Sequence, residues 1–299
     1  MDSIVHYHTC PCCGGKNISA VLSVKDYTVS QDTFQVFECA DCTVRFTQDI
    51  SDEANIGKYY QSENYISHSD TNEGIINKLY HYVRSITLRN KYKIICTQTK
   101  KTTGILLDIG AGTGAFVNFM KSAKWTVTGL EPDNTARTVA YNKFQLELKS
   151  PPELFNFPEN SFDAITLWHV LEHVHNLDGY MDIFGKLLKT GGKLFIAVPN
   201  YTSYDASFYK EYWAAYDVPR HLYHFSPTSI KLLANKHNLN VTAIKPMWYD
   251  SFYISMISEQ YKNGKGNLFN AFFVGLISNF KTLSNPEKCS SLIYVMSKK

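Results

Sequence analysis

The stretch LLDIGAGTGAFVNFMKSAKWTVTGLEP, from Leu106 to Pro132, decides the fold of this chain. Two apolar runs flank a glycine turn and a helix-forming segment, which predicts a strand, a tight turn, a helix and a second strand. Asp108 ends the first run, Glu131 closes the second, and glycines stand at every second position between them, at Gly110, Gly112 and Gly114. Alternate glycines let the backbone approach a ligand, and a carboxylate after the second strand can accept both hydroxyls of a ribose. The pattern indicates an adenosine-containing ligand.

The turn also fits a dinucleotide fingerprint, because G-A-G-T-G-A matches the relaxed pattern G-x-G-x-x-A. Asp108 lies two residues before the first glycine and would approach the space where a dinucleotide places its pyrophosphate. A carboxylate in that space repels a phosphate and attracts a cationic group. The acid therefore favours a positively charged adenosine ligand over a dinucleotide.

Further motifs follow in a fixed order along the chain: FDAITLWHVLEHV (Phe162–Val174), LLKTGGKLFIAVPN (Leu187–Asn200) and HLYHFSPTSIKLL (His221–Leu233). Together with DIGAGTG and Glu131 they cover roughly residues 100–245 and resemble the class I S-adenosylmethionine-dependent methyltransferases. The resemblance implies an α/β, Rossmann-like sheet that is mostly parallel with an antiparallel last strand. It also implies S-adenosyl-L-methionine as cofactor.

The resemblance assigns a part of the cofactor to each segment. It implies that the backbone of Gly110, Ala111, Gly112 and Gly114, with Pro132 nearby, lies against the methionine and ribose. Asp108 would face the amino end and Glu131 the ribose diol. Many relatives carry an acidic residue after the third strand that contacts adenine, whereas this chain has LKSPPELFNFPENSFD, where Ser150, Glu153 and Leu154 are the nearest candidates.

Four cysteines near the N-terminus form two C-x2-C knuckles, Cys10 with Cys13 and Cys39 with Cys42. Two such knuckles supply the four thiolates that a structural Zn²⁺ prefers, and four protein ligands leave no open position for catalysis. The residues between them alternate as hairpin strands do, which predicts a zinc ribbon. Cys12 is a spare thiol inside the first knuckle, while Cys96 and Cys289 are expected to be buried spectators.

The charge of the ribbon argues against a nucleic-acid substrate. Residues 1–50 contain three basic and six acidic residues, the opposite of the balance that phosphate binding requires. An RNA methyltransferase is therefore disfavoured, and the whole chain has a formal net charge of only +3.

The chain divides into three parts: a zinc ribbon at 1–50, a helical connector or cap at 51–101 with a helix from Glu73 to Ile95, and a methyltransferase domain at 102–299. Alternating strands and helices in the last part predict a parallel sheet. Gly191 and Gly192 are expected to stop the helix that ends near Lys189. Residues 249–290 form an insertion before the last strand.

Three histidines are candidates for catalysis, since histidine titrates near neutrality and can take a proton from an acceptor. His169 is expected at a strand-to-helix junction beside Trp168, and the resemblance implies that this loop faces the sulfonium and the acceptor. His221 and His224 lie in a segment rich in tyrosine, and His221 is the favoured base or acceptor ligand. H-x-x-E-H at 169–173 also matches a zinc motif, but that reading needs one continuous helix.

No apolar h-region follows the start MDSIVHYHTC, and the longest apolar stretch, Leu268–Phe280, is short for a transmembrane span, so we expect a cytoplasmic protein. That stretch suits buried packing, a substrate lid, a membrane surface or a homodimer contact. We expect methyl transfer to a small-molecule substrate, such as a sugar or a lipid- or nucleotide-linked intermediate. The alternative of another class is a non-catalytic, regulatory protein that binds the cofactor.

Overall fold

The structure of the protein, a computed structural model, describes residues 3–61 and 75–299. Five short strands form the N-terminal part: β1 (Ile4–Val5), β2 (Ile18–Lys25), β3 (Thr33–Cys39), β4 (Arg45–Thr47) and β5 (Ile50–Ser51). A 3-10 turn at Ile56–Tyr60 and the helix α1 (Ile75–Thr99) lead to the large domain. The start of the predicted helix at Glu73 lies outside the described residues.

The large domain alternates strands and helices as the sequence predicts. Its first half contains β6 (Ile105–Ile109), α2 (Ala115–Ser122), β7 (Thr126–Leu130), α3 (Asn134–Phe144), β8 (Phe162–Trp168), α4 (Leu177–Leu187) and β9 (Leu188–Pro199). The second half contains α5 (Tyr204–Tyr209), β10 (Tyr223–His224), α6 (Pro227–Lys236), β11 (Leu239–Pro246), α7 (Asp250–Asn263), α8 (Leu268–Ser284) and β12 (Ser291–Lys298).

Six strands form the central sheet in the order β11-β12-β9-β8-β6-β7. β6 pairs in parallel with β7 and β8, and β8 pairs in parallel with β9. β12 is antiparallel to both of its neighbours, β9 and β11. The predicted fold class, a mostly parallel Rossmann-like sheet with an antiparallel last strand, is confirmed.

Helix packing in the large domain follows local sequence signals. Leu177, Met181, Phe184 and Leu187 form the buried face of α4, at the spacing that predicts it. Ser226 caps α6 by accepting a hydrogen bond from the amide of Ser229, and Pro227 occupies the first turn. The predicted glycine stop is wrong, because α4 ends at Leu187 and Gly191 and Gly192 lie inside β9.

The N-terminal part is joined to the large domain through a shared sheet. β2 and β3 form the predicted antiparallel hairpin, β4 pairs with β3, and β10 of the large domain pairs with β4. Arg220 of the large domain is buried and donates to Asp26 Oδ1 at 2.9 Å. The ribbon therefore packs into the large domain through a strand pairing and a buried ion pair.

The insertion before β12 is a helical hairpin of α7 and α8. Phe252 of α7 stacks on Phe272 of α8, with ring centroids 5.6 Å apart. Within residues 3–61 and 75–299, no helix combines the length and apolar character needed to cross a bilayer.

Candidate functional site

The glycine turn lies between β6 and α2, at the carboxyl end of the parallel sheet. Gly110 and Gly112 have φ values of +70° and +54°, a region that favours glycine. A Cβ added at Gly110 would stand 2.3 Å from Cγ2 of Val170, whereas one added at Gly112 would meet no atom within 4 Å. The turn is thus closed against Val170 and open at Gly112, where the backbone can contact a ligand.

Two buried carboxylates flank this turn. Asp108 is the penultimate residue of β6 and accepts a hydrogen bond from Thr166 Oγ1 at 2.6 Å. Glu131 follows β7 and accepts from the amides of Gly112 at 2.7 Å and Asp133 at 3.0 Å. The last two bonds fix the Glu131 carboxylate beside the open part of the turn.

Burial controls the protonation of both acids. Burial raises the pKa of Asp108 to about 7, because the hydrogen bond from Thr166 and the charge of Lys91 offset it only in part. Burial also raises the pKa of Glu131, against the hydrogen bonds from the amides of Asp133 and Gly112. A cation bound next to Asp108 would favour its ionised form.

Lys91 of α1 is a site residue that the sequence analysis missed. Its Nζ lies 4.2 Å from the ring centroid of Trp168, over the face of the indole. Burial lowers the pKa of Lys91 to about 8, and the charges of Asp108 and Asp250 act in the opposite direction. Lys91 therefore adds a positive group to a site whose other charges near the turn are negative.

A cleft that is open to solvent lies beside Lys91. One wall is α1, and the other is the segment that enters α7, with Trp248, Tyr249 and Asp250. The insertion at 249–290 therefore supplies part of the site at its first residues.

His169 follows directly after β8 and has a φ of +58°. Its Nδ1 is 3.4 Å from Glu172 Oε1, and its Nε2 is 3.2 Å from Asp250 Oδ2. Burial alone would lower the pKa of His169, but Asp250 and then Glu172 outweigh burial and raise it to about 10. In this arrangement the ring is an imidazolium held between two carboxylates.

A second group of polar side chains lies behind His169. The 3-10 turn at Leu171–His173 replaces the continuous helix that a zinc-binding H-x-x-E-H motif needs. The carboxylate of Glu172 is fully buried. One of its oxygens and one ring nitrogen each of His173 and His221 lie within 4.8 Å of one another. The rings of His173 and His221 are 4.6 Å apart, edge to face, and Tyr60 Oη contacts His173 Nδ1 at 3.0 Å.

Of the three predicted histidines, His169 and His221 each approach Glu172, whereas His224 faces Thr47 of the N-terminal part. His221 is buried, and its Nδ1 contacts the carbonyl oxygen of Ala215 at 2.8 Å. His224 lies in β10 against the ribbon, where its Nε2 is 3.2 Å from Thr47 Oγ1. Burial lowers the pKa of His224 well below its usual value, so the ring is neutral.

Most rings of the segment between Tyr201 and Phe225 pack internally rather than facing a cleft. Trp213 donates its indole N–H to Asp205 Oδ2 at 2.8 Å, and Tyr216 Oη accepts from Arg45 of the ribbon at 2.8 Å. Both side chains are almost completely buried. The segment thus forms the surface on which the ribbon packs.

The predicted adenine side lies next to the edge of the sheet. Lys149 forms a single parallel bridge with Leu130, and a 3-10 turn follows at Pro151–Asn156. Leu154 of this turn is fully buried, whereas Glu153 is half-buried.

The four predicted metal ligands meet at one point of the ribbon. The Sγ atoms of Cys10 and Cys42 are 3.5 Å apart, those of Cys13 and Cys39 are 3.6 Å apart, and all four lie within 4.8 Å of one another. A tetrahedral Zn²⁺ with Zn–S bonds of about 2.3 Å separates its sulfurs by about 3.8 Å. The amide of Gly15 points to Cys13 Sγ at 3.4 Å, as expected for a thiolate ligand. The donor set and its spacing fit Zn²⁺.

Residues 79–244 match a family model described as a methyltransferase domain. The chain is 32% identical over 120 residues to a demethylmenaquinone methyltransferase of Tropheryma whipplei, covering 38% of this chain and 50% of that protein. It is 26% identical over 163 residues to a mitochondrial ubiquinone biosynthesis O-methyltransferase of Rattus norvegicus, covering 49% and 47%. The chain spans about half the length of these curated relatives.

Among solved structures, phosphoethanolamine N-methyltransferase 2 of Haemonchus contortus, in complex with S-adenosyl-L-methionine, is similar to 70% of this chain. The match covers 52% of that chain, with 21% sequence identity and a TM-score of 0.47.

Proposed function

Because the chain belongs to the methyltransferase-domain family, we propose that it transfers a methyl group from S-adenosylmethionine to a small-molecule acceptor. The observation that carries this proposal is the open backbone at Gly112 between two buried carboxylates, Asp108 and Glu131. An open turn accommodates an adenosine ligand, and the negative charge next to it suits a ligand that bears an ammonium and a sulfonium group.

Each end of the cofactor has a complementary group in the site. Glu131 would accept hydrogen bonds from the ribose diol, and Asp108 would face the ammonium group. Lys91 would face the carboxylate of the methionine part. The sequence alone indicates no partner for that carboxylate. Gly110, Ala111, Gly112, Gly114 and Pro132 would supply the backbone surface, and Glu153 and Leu154 would lie on the adenine side, with Trp168 close to the methyl group. When bound, S-adenosylmethionine supplies an electrophilic methyl group for in-line displacement.

We propose that His169, rather than the initially favoured His221, assists deprotonation of the acceptor. It lies at the carboxyl end of β8 and is about one-third exposed, with a side-chain accessibility of 34%. An acceptor hydroxyl that takes the place of Asp250 at Nε2 would remove the carboxylate that contributes most to the raised pKa. Glu172 would fix the orientation of the His169 ring by contacting its Nδ1. His221 would in turn hold Glu172 in position.

This assignment predicts how the pH dependence changes in Asp250→Asn. Removal of the carboxylate lowers the pKa of His169 in the free enzyme, so the ascending limb of kcat/KM, which reports the free enzyme, moves to lower pH by at least about one unit. The ring titration followed by NMR moves in the same direction. Asp178→Asn is the matched control, because Asp178 pairs with a different histidine, His237, whose Nε2 lies 2.9 Å from Asp178 Oδ1. An unchanged limb in Asp250→Asn would refute the role of His169.

Binding of S-adenosylmethionine is expected to depend on pH through Asp108. Its pKa of about 7 means that a cationic ligand must displace a proton below that pH, so affinity falls by up to about tenfold per pH unit below 7. Calorimetry at pH 6 and pH 8 measures the slope. Asp108→Asn is expected to bind more weakly and to lose this slope, and a variant that keeps it would exclude Asp108 as the linked group.

The proposal is tested by calorimetry with S-adenosylmethionine, followed by detection of S-adenosylhomocysteine on an acceptor panel. The panel contains hydroquinones and other phenols, suggested by the names of the relatives, together with sugars and nucleotide-linked sugars. Binding with turnover on one class supports the proposal. Binding without turnover on any class favours the non-catalytic cofactor binder, and binding of NAD instead would favour a dehydrogenase.

We further propose that Cys10, Cys13, Cys39 and Cys42 hold a structural Zn²⁺. Four thiolates would fill the four positions of a tetrahedral Zn²⁺, so this metal would stabilise the ribbon and take no part in methyl transfer.

A further inference from the structure

The second helix of the insertion, α8, exposes its large side chains and buries its small ones. Its inner side, which packs on α5 and α7, contains Ala271, Val274, Gly275, Ser278 and Thr282. The opposite side of α8, the outer face, contains Leu268, Phe269, Phe272, Phe273, Leu276, Ile277, Phe280 and Leu283. These eight side chains are between 41% and 83% exposed. Proteins that act alone in water rarely expose a continuous apolar surface of this kind.

Close packing on the inner side fixes this orientation. A Cβ added at Gly275 would stand 2.7 Å from Cδ1 of Phe252, so the inner side has no room for a larger residue. Ser278 donates a hydrogen bond to the buried carboxylate of Asp205 at 2.7 Å. The helix cannot roll to bury its phenylalanines without breaking these contacts, and the outer face remains available to a partner.

Every charged residue between Gln260 and Pro286 is positive. The sequence from Gln260 to Pro286 contains no aspartate or glutamate, whereas Lys262, Lys265 and Lys281 are exposed. The acidic residues on either side are engaged, because Glu259 is buried and Glu287 pairs with Lys231 at 2.6 Å. A surface that complements this helix is therefore apolar and anionic.

We propose that the outer face of α8 binds the surface of a membrane that contains anionic lipid, with the helix axis parallel to the bilayer. An amphipathic helix with phenylalanine and leucine on its apolar side and lysines nearby, here Lys281 in α8 with Lys262 and Lys265 before it, is typical of such binding. A symmetric contact between two copies of the chain would instead bring their lysines together without an acidic partner on either face. The outer face lies outside the cofactor site, so its binding can be measured without methyl transfer.

Sedimentation of the full chain with lipid vesicles tests the proposal. We expect binding to vesicles of equal parts phosphatidylglycerol and phosphatidylcholine to exceed binding to pure phosphatidylcholine, and added salt to weaken it. Phe269 and Phe280 are 83% and 73% exposed, so Phe269→Ser combined with Phe280→Ser should remain folded. This variant is expected to lose at least about tenfold in vesicle affinity.

The matched control replaces two exposed apolar residues on other helices, Tyr141→Ser and Leu232→Ser, which are 50% and 42% exposed. It is expected to bind like the unchanged chain. Equal binding of the phenylalanine variant and the unchanged chain would overturn the proposal. A second result would also overturn it: the unchanged chain does not bind vesicles but dimerises in sedimentation velocity, and the phenylalanine changes abolish the dimer. That result would assign the outer face to a second copy of the chain.

Discussion

Glu131→Ala is expected to weaken binding of S-adenosylmethionine by about two to four orders of magnitude. The carboxylate would accept two charge-assisted hydrogen bonds from the ribose, each worth about 1.5–3 kcal/mol, and about 1.4 kcal/mol corresponds to a tenfold change in affinity. Glu131 also accepts from the amide of Gly112, so its removal loosens the open turn itself. Isothermal calorimetry measures the effect, and thermal unfolding shows whether the variant is folded.

Glu159→Ala is the control for this experiment, because Glu159 is an exposed acid of the same domain. It changes the net charge by the same amount and should leave the affinity as it was. If Glu131→Ala binds the cofactor as tightly as the unchanged chain, the ribose does not lie at Glu131.

Cys42→Ser is expected to remove the metal and to destabilise the whole chain rather than the ribbon alone. Without Zn²⁺ the ribbon loses the free energy of metal binding, which in small zinc domains is most of their stability. The loss spreads because β4 pairs with β10 and because Arg220 donates to Asp26 of the ribbon. Breaking a buried ion pair costs about 3–5 kcal/mol, so we expect the melting temperature to fall by about 10 °C or more.

Metal analysis and differential scanning calorimetry measure these two effects. Cys12→Ser is the matched control, since Cys12 is a buried thiol of the same knuckle but is not one of the four sulfurs that meet. It should retain one equivalent of zinc. One equivalent of zinc in both Cys42→Ser and Cys12→Ser would show that the metal does not require Cys42.

The parts of the fold that depend on local pattern could be predicted from the sequence. The strand, turn and helix from Leu106 to Pro132 are governed by apolar periodicity and glycine, and the knuckles are governed by cysteine spacing. The resemblance to class I S-adenosylmethionine-dependent methyltransferases, carried by the same motifs, is confirmed by the match to residues 79–244. Gly191 and Gly192 misled the prediction, because a glycine pair is typical of a helix end and here lies in β9.

The parts that depend on distant contacts could not be predicted. Lys91 has no local signal, since a lysine on a helix is usually solvated, and only the fold brings it over Trp168. Asp250 contacts His169 from the start of an insertion whose path no motif defines. Likewise, the two-residue strand β10 is too short to show a period, so its pairing with the ribbon was not foreseen.

The pairing between β4 and β10 has a consequence for the order in which the chain can fold. Thr47 and His224 contact each other across 177 residues of sequence. During synthesis from the N-terminus, the outer edge of β4 therefore has no neighbour until most of the large domain has left the ribosome. Contacts between residues so far apart in sequence form slowly, because closing the large loop between them costs conformational entropy. The hairpin of β2 and β3 can form early, whereas its final sheet is completed late in folding.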